Sequence, residues 1–207
     1  MAARAGRKRG GESAGAQART AIVDAAVASL ATDGFSATSA RAVAERAGIA
    51  PGGVFYHYGS MDELLAVVFE RCLDARLARM ATVLEAPPAA LPEALRDAVQ
   101  AEFAHPEGRA LLELVVGASS TPVLAERVQA GIERSFTFTR GVVDRMLEGS
   151  PLAAVLPLDL VAQIAASAFF GLQVLDLVGT PVDVEAMTTL VAALTRLGAP
   201  ATAPAPG

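Results

Sequence analysis

Pro51-Gly52-Gly53, followed by Phe55-Tyr56-His57-Tyr58, is the stretch of this 207-residue chain whose residue types best suit binding chemistry. Proline presets the backbone angle at the first position of a helix, where its missing N–H would be unsatisfied anyway. Two glycines there are costly, each lowering helix stability by about 1 kcal/mol relative to alanine, so another demand has to favour them. Without side chains they let the amino end of a short helix approach a partner closely, its free amides aimed at phosphate. The aromatic run sends one or two rings inward and leaves hydroxyl and imidazole donors outside, a set that holds nucleic-acid phosphates. Catalytic chemistry has no comparable set. The only histidines are His57 and His105, the only cysteine is Cys72, and no thiolate or metal-ligand spacing surrounds His105. No enzyme activity, cofactor or metal is expected.

A short binding helix needs a scaffold, and the residues before it supply one. Ile22, Val23, Ala26, Val27 and Leu30 form an apolar stripe at helical spacing, and Asp33-Gly34 ends that helix. Thr38 or Ser39 can cap a second helix whose Val43, Ala44 and Ala47 face inward, and Gly48 permits the tight turn that follows. A helix, a capped helix, a glycine turn and a proline-started third helix therefore occur in order.

The run from Thr38 to Tyr58, closed by Gly59-Ser60-Met61-Asp62-Glu63-Leu64-Leu65, resembles the Tet repressor (TetR) family. The likeness covers about Arg19 to Leu65. It implies double-stranded operator DNA as partner, a homodimer whose paired recognition helices enter successive major grooves, and a carboxy-terminal domain that binds a small-molecule inducer. Carried over by position, Thr38 and Ser39 would cap the second helix near phosphate, Arg41 would contribute to specificity, Ala50, Pro51, Gly52 and Gly53 would face the groove, and Tyr56 and His57 would hold the backbone. Two departures weaken phosphate grip: Phe55 stands where the family often has tyrosine, and Met61 where it usually has lysine.

The rest of the chain is read as an all-α body. Hydrophobic residues are 53% of the chain, aromatics 5%, and Trp is absent, with few period-two runs to suggest strands. About nine helices are predicted: Arg19–Thr32, Ser39–Ala47, Pro51–His57, Met61–Leu84, Leu91–Phe103, Pro106–Ala118, Pro122–Leu147, Leu158–Val178 and Val184–Leu197. They divide into a disordered basic arm over 1–17, a three-helix helix-turn-helix domain over 18–65, a helical-bundle ligand-binding and dimerisation domain over 66–198, and a disordered Ala/Pro tail over 199–207. Net charge is −5, but residues 1–60 carry seven Lys or Arg against four acids, so a mildly basic head joins an acidic body. Arg4, Arg7, Lys8 and Arg9 of the arm are candidates to lie along phosphates or in the minor groove.

One cysteine excludes an internal disulfide, and the first residues lack a signal peptide's apolar core, so a bacterial cytoplasmic protein is expected. The most membrane-like stretch, Leu160 to Leu175, contains Gln163 and Gln173 and falls short of the roughly 18–20 apolar residues of a spanning helix, so no membrane is expected. Phe103, His105, Phe136, Phe138, Phe169 and Phe170, with Arg140 and Gln173, are candidates to line a ligand cavity. Val161, Ile164, Ala168, Leu172 and Leu175, with Leu190, Val191 and Leu194, are candidates for the dimer interface. The expected function is a ligand-responsive transcriptional repressor. The alternative is a small-molecule binding protein that has lost specific operator binding, for which Phe55 and Met61 speak.

Overall fold

The computed structural model describes residues 2–87 and 90–197, with side chains for 14–87, 90–189 and 193. Among the described residues there are nine α-helices and no strand, in agreement with the helical periodicity: α1 Ala2–Asp33, α2 Ala40–Ala47, α3 Gly53–Tyr58, α4 Met61–Glu85, α5 Leu91–Ala104, α6 Pro106–Gly117, α7 Pro122–Met146, α8 Leu158–Leu177 and α9 Val184–Leu197. Single 3-10 turns occupy Ala118–Ser120 and Pro151–Ala154.

Two boundaries differ from the sequence reading. Helix α1 begins at Ala2, so backbone read as an unordered arm continues the first helix, in keeping with the high helix propensity of its alanines. The side chains of Arg4, Arg7, Lys8 and Arg9 lie outside those described, as does the tail expected over 199–207. Helix α3 begins at Gly53 rather than Pro51. Pro51 and Gly52 instead form a turn in which the Gly53 N–H donates to Ala50 O at 2.8 Å.

The chain divides into two compact units, Met1–Asp74 with Pro106–Gln129 and Ala75–His105 with Ala130–Gly207, so α4 and α7 each contribute residues to both. In the first unit, Ile22, Ala26 and Leu30 recur one turn apart on α1 and are fully buried, joined in the core by Val43, Val54, Leu64, Val68 and Leu114. Such a stripe removes one helical face from water, at about 25 cal/mol per Å² of apolar surface. Gly34, at φ +82°, ends α1, and its N–H donates to Leu30 O. Helix α6 packs along α1. The Ser60 hydroxyl caps α4 by accepting the Glu63 N–H at 3.1 Å, and Asp62 and Glu63 add favourable charge to its first turn.

In the second unit α5 packs on α9. One apolar cluster joins Val83, Leu91 and Val142, with Phe138 and Met146 against it. Another joins Val143, Leu147 and Ala162, with Leu152, Leu158 and Val161. Helix α8, at 20 residues, is by length and composition apolar enough to cross a membrane, a correction to the expectation that this stretch is too short.

Candidate nucleic-acid interface and internal cavity

Helix α2 owes its start to Ser39, whose Oγ accepts the Ala42 N–H at 3.3 Å from extended backbone. Gly48, at φ +67°, closes it, its N–H donating to Ala44 O and Glu45 O. A side chain at that φ would be strained, so the turn needs glycine. Thr38 does not cap α2. Its hydroxyl donates to Gly34 O at 2.8 Å and lies 3.1 Å from Ser29 Oγ, tying the α1–α2 loop to the end of α1. Arg46 adds a 2.8 Å ion pair to Asp33, while Arg41 is exposed.

The two glycines of the turn have different reasons. A Cβ at Gly53 would lie 2.7 Å from Ile49 Cδ1, so this glycine makes room inside the unit. A Cβ at Gly52 would meet nothing within 4 Å, and Ala50, Pro51 and Gly52 are all exposed. The bare tip is therefore Ala50 to Gly52. Tyr56 is 84% exposed and meets His57 edge to face at 5.0 Å between ring centroids. Phe55 is 51% exposed. Val54 supplies the buried contact of α3 instead. The Tyr58 hydroxyl donates to Arg19 O at 2.9 Å, anchoring the end of α3 to α1. Ser39, Arg41, Ala50 to Gly52 and Tyr56 thus reach the surface from two helices and the turn between them.

One support for this surface was not visible in the sequence. The Glu113 carboxylate of α6 accepts the Phe35 N–H at 2.8 Å, across 78 positions. A Cβ at Gly117 would fall 2.2 Å from the Phe35 ring. The loop that leads into α2 is therefore seated on α6.

The second unit holds a partly open cavity of about 480 Å³, within the range of small-molecule sites. Of the expected ligand residues, Phe138, Phe169 and Phe170 line it. Phe103 stands behind, edge-on to Phe169 at 6.2 Å, and Gln173 is buried with its Oε1 accepting from Arg76 Nη2 at 3.1 Å. Phe136, His105 and Arg140, like Phe103 and Gln173, are not among the lining residues. His105 is the carboxy-terminal cap of α5. Arg140 is held by Asp144, at 3.0 Å, and by Asp159. The sequence reading missed Arg76 and Glu102. Arg76 lines the cavity at 6% exposure, and its Nε donates to Glu102 Oε2 at 2.9 Å, while Arg79 Nε donates to Glu102 Oε1 at 2.6 Å. Two arginines one turn apart on α4 were the available signal.

Helix α8 has two faces. Val161, Ala168 and Leu172, expected at an interface between subunits, line the cavity. Leu160, Ile164, Leu175 and Val178 form an exposed apolar stripe, Ile164 at 60%. The side chains of Leu190, Val191 and Leu194 lie outside the described ones.

With this geometry established, residues 22–68 match the family model of bacterial regulatory proteins, tetR family. The HTH-type transcriptional regulator RutR of Escherichia coli K12 is 26% identical over 153 residues, covering 72% of this chain and 71% of that protein. Among solved structures, a transcriptional regulator from Rhodococcus sp. Rha1 superposes with a TM-score of 0.68 at 24% identity, over 87% of this chain and 95% of that one. The multidrug binding protein EbrR, solved with imidazole, superposes with a TM-score of 0.62 at 20% identity, over 90% and 97% of the two chains. At those identities the structural likeness carries the fold.

Proposed function

Because the chain belongs to the tetR family of bacterial regulatory proteins, as a transcriptional regulator with an amino-terminal DNA-binding domain, we propose that it is a repressor that binds operator DNA as a homodimer and is released by a small-molecule inducer. The observation that carries the reading is the bare tip Ala50 to Gly52, exposed between the Ser39-capped α2 and the outward Tyr56. Glycine and alanine at a helix start let backbone come close to a duplex, while Ser39, Tyr56 and His57 offer phosphate ligands and Thr38 holds the loop beside them. The tip carries no Arg, Gln or Asn to read bases in pairs, so specificity rests on Arg41, on apolar contact with thymine methyls and on DNA shape.

The exposed stripe of α8 supports dimerisation, because a row of large apolar side chains left in water favours association. Gln173, fixed to Arg76 within the unit, fits a helix that packs against protein better than one surrounded by lipid. Two reading heads about one helical turn apart, roughly 34–36 Å, would then span successive major grooves. A ligand that favours a body conformation with another spacing would oppose DNA binding, and DNA would weaken ligand binding by the same factor.

Fluorescence anisotropy of the purified chain with DNA from upstream of its own gene tests this reading. Saturable binding that weakens with salt is expected, and indifference to that DNA at low ionic strength would remove it. A second reading, a small-molecule binder without operator function, is favoured by Phe55, whose exposed ring lacks a phosphate-binding hydroxyl. The same titration separates the two.

A further inference from the structure

The lining of the cavity in the second unit is mostly apolar. Leu77, Met80, Val142, Met146 and Phe170 are typical of its wall. Three hydroxyls also reach it, but each is committed to its own helix: Ser135 donates to Gly131 O at 2.9 Å, Thr139 to Ser135 O at 2.9 Å, and Thr188 to Val184 O at 2.9 Å. With their protons engaged, they have only acceptor capacity to offer a ligand. Arg76 is the one charged side chain in the lining.

The surroundings of Arg76 hold its guanidinium in a fixed orientation. Glu102, 1% exposed, receives Arg76 on one oxygen and Arg79 on the other, Gln173 accepts a further Arg76 N–H, and the guanidinium carbon lies 5.5 Å from the centroid of the Phe169 ring. Two guanidinium groups share that carboxylate, and Arg79 Nη2 is buried with no hydrogen-bond partner among the described residues. Packing of this kind pre-orients a donor group for an incoming acceptor.

We infer that the ligand of this cavity is an apolar molecule carrying a single anionic head, such as a monocarboxylate, with its head against Arg76 and its body along α7 and α8. The inference rests on the proposed release by a small-molecule inducer, with this cavity as its site. A charge-assisted bond to guanidinium is roughly twice as strong as a neutral one, and a low-dielectric wall strengthens it. A cationic head would meet like charge, and a molecule with several polar groups would leave most of them unsatisfied against the wall. At a liquid-like ~30 Å³ per non-hydrogen atom, the cavity has room for on the order of 15 such atoms.

The test is isothermal titration of the full chain with decanoate, 1-decanol and decylammonium, followed by the same series on Arg76→Gln. Decanoate is expected to bind about tenfold or more tightly than decanol, with decylammonium weakest, and Arg76→Gln to close the gap between carboxylate and alcohol. Equal affinities, a preference for ammonium, binding of none of the three, or a carboxylate preference that survives Arg76→Gln each overturn the head-group assignment. Should Arg76→Gln fail to fold, the ranking in the unaltered chain decides. Adding decanoate to the operator complex separates the two readings. Preferential binding without DNA release sinks the inducer reading and leaves the head group standing.

Discussion

Phe35 occupies the space that the missing side chain of Gly117 leaves: a Cβ there would lie 2.2 Å from the ring. The same loop is held by Glu113, four residues earlier on α6, which takes the Phe35 N–H. Ring packing and a charge-assisted hydrogen bond therefore fix the loop that leads into α2 to one helix.

Gly117→Ala should destabilise the first unit by about 1–3 kcal/mol, the usual cost of overpacking. In a chain of this size that lowers Tm by about 2–4 °C for each kcal/mol. Phe35→Leu in the Gly117→Ala background should recover part of the loss. Calorimetric scans that show Gly117→Ala melting with the unaltered protein would mean the ring moves aside freely.

At Ser39, folding and DNA binding should separate. Ser39→Ala loses the cap and about 1 kcal/mol of stability. Ser39→Asp keeps an acceptor for the Ala42 N–H, so its melting temperature should stay near that of serine, but a negative charge beside phosphate should weaken operator binding. Equal affinities for Asp and Ser would show that this end of α2 faces away from the duplex.

The paired glycines give different outcomes. Gly52 has helical backbone angles (φ −76°, ψ −10°) and open space where a Cβ would go, so Gly52→Ala should stabilise the fold by about 0.4–1 kcal/mol while weakening the operator complex. Gly53→Ala must first move the Ile49 Cδ1 methyl aside and should gain less. If Gly52→Ala binds operator as tightly as the parent, the bare tip is not the contact surface.

Met61, the first residue of α4, stands where the resembled family usually has lysine. Met61→Lys should tighten binding to many DNA sequences alike and steepen the salt dependence by about one phosphate contact, a slope change near 0.9. An unchanged slope would place the side chain away from phosphate.

Burial raises the Tyr58 phenol above its ordinary 10.0, with Arg19 and Arg71 pulling the other way. An acid whose folded pKa lies above its unfolded value contributes stability that is complete below the unfolded value and is lost as pH rises through the folded one. Thermal melts above about pH 10 should therefore fall more steeply for the parent than for Tyr58→Phe, which lacks both the titration and the bond to Arg19 O. Parallel curves would count against it.

Much of the fold was legible because local signals punctuate it. Gly34 and Gly48 adopt positive φ at the helix ends where the sequence places them, and Ser39 caps α2. The pairing of Glu113 with Phe35 was not legible, since nothing local in either residue names a partner 78 positions away. The cavity's charged lining residue was hidden for the same reason: Arg76 meets Glu102 across 26 positions and Gln173 across 97. Arg140 misled because an arginine near aromatic residues suits a binding wall, yet Asp144 and Asp159 hold it. Of the aromatic run, Phe55 and Tyr56 stay exposed because Val54 already fills the inward position of a six-residue helix.

Helix α8 walls the cavity through Val161, Phe169 and Leu172, and carries Leu160, Ile164 and Leu175 on the side open to water. A small rotation of this rod moves both surfaces at once. Were the proposed dimer to form through this stripe, its loss on dilution would free α8 to adjust, and the apparent dissociation constant of a ligand in the cavity would drift with chain concentration.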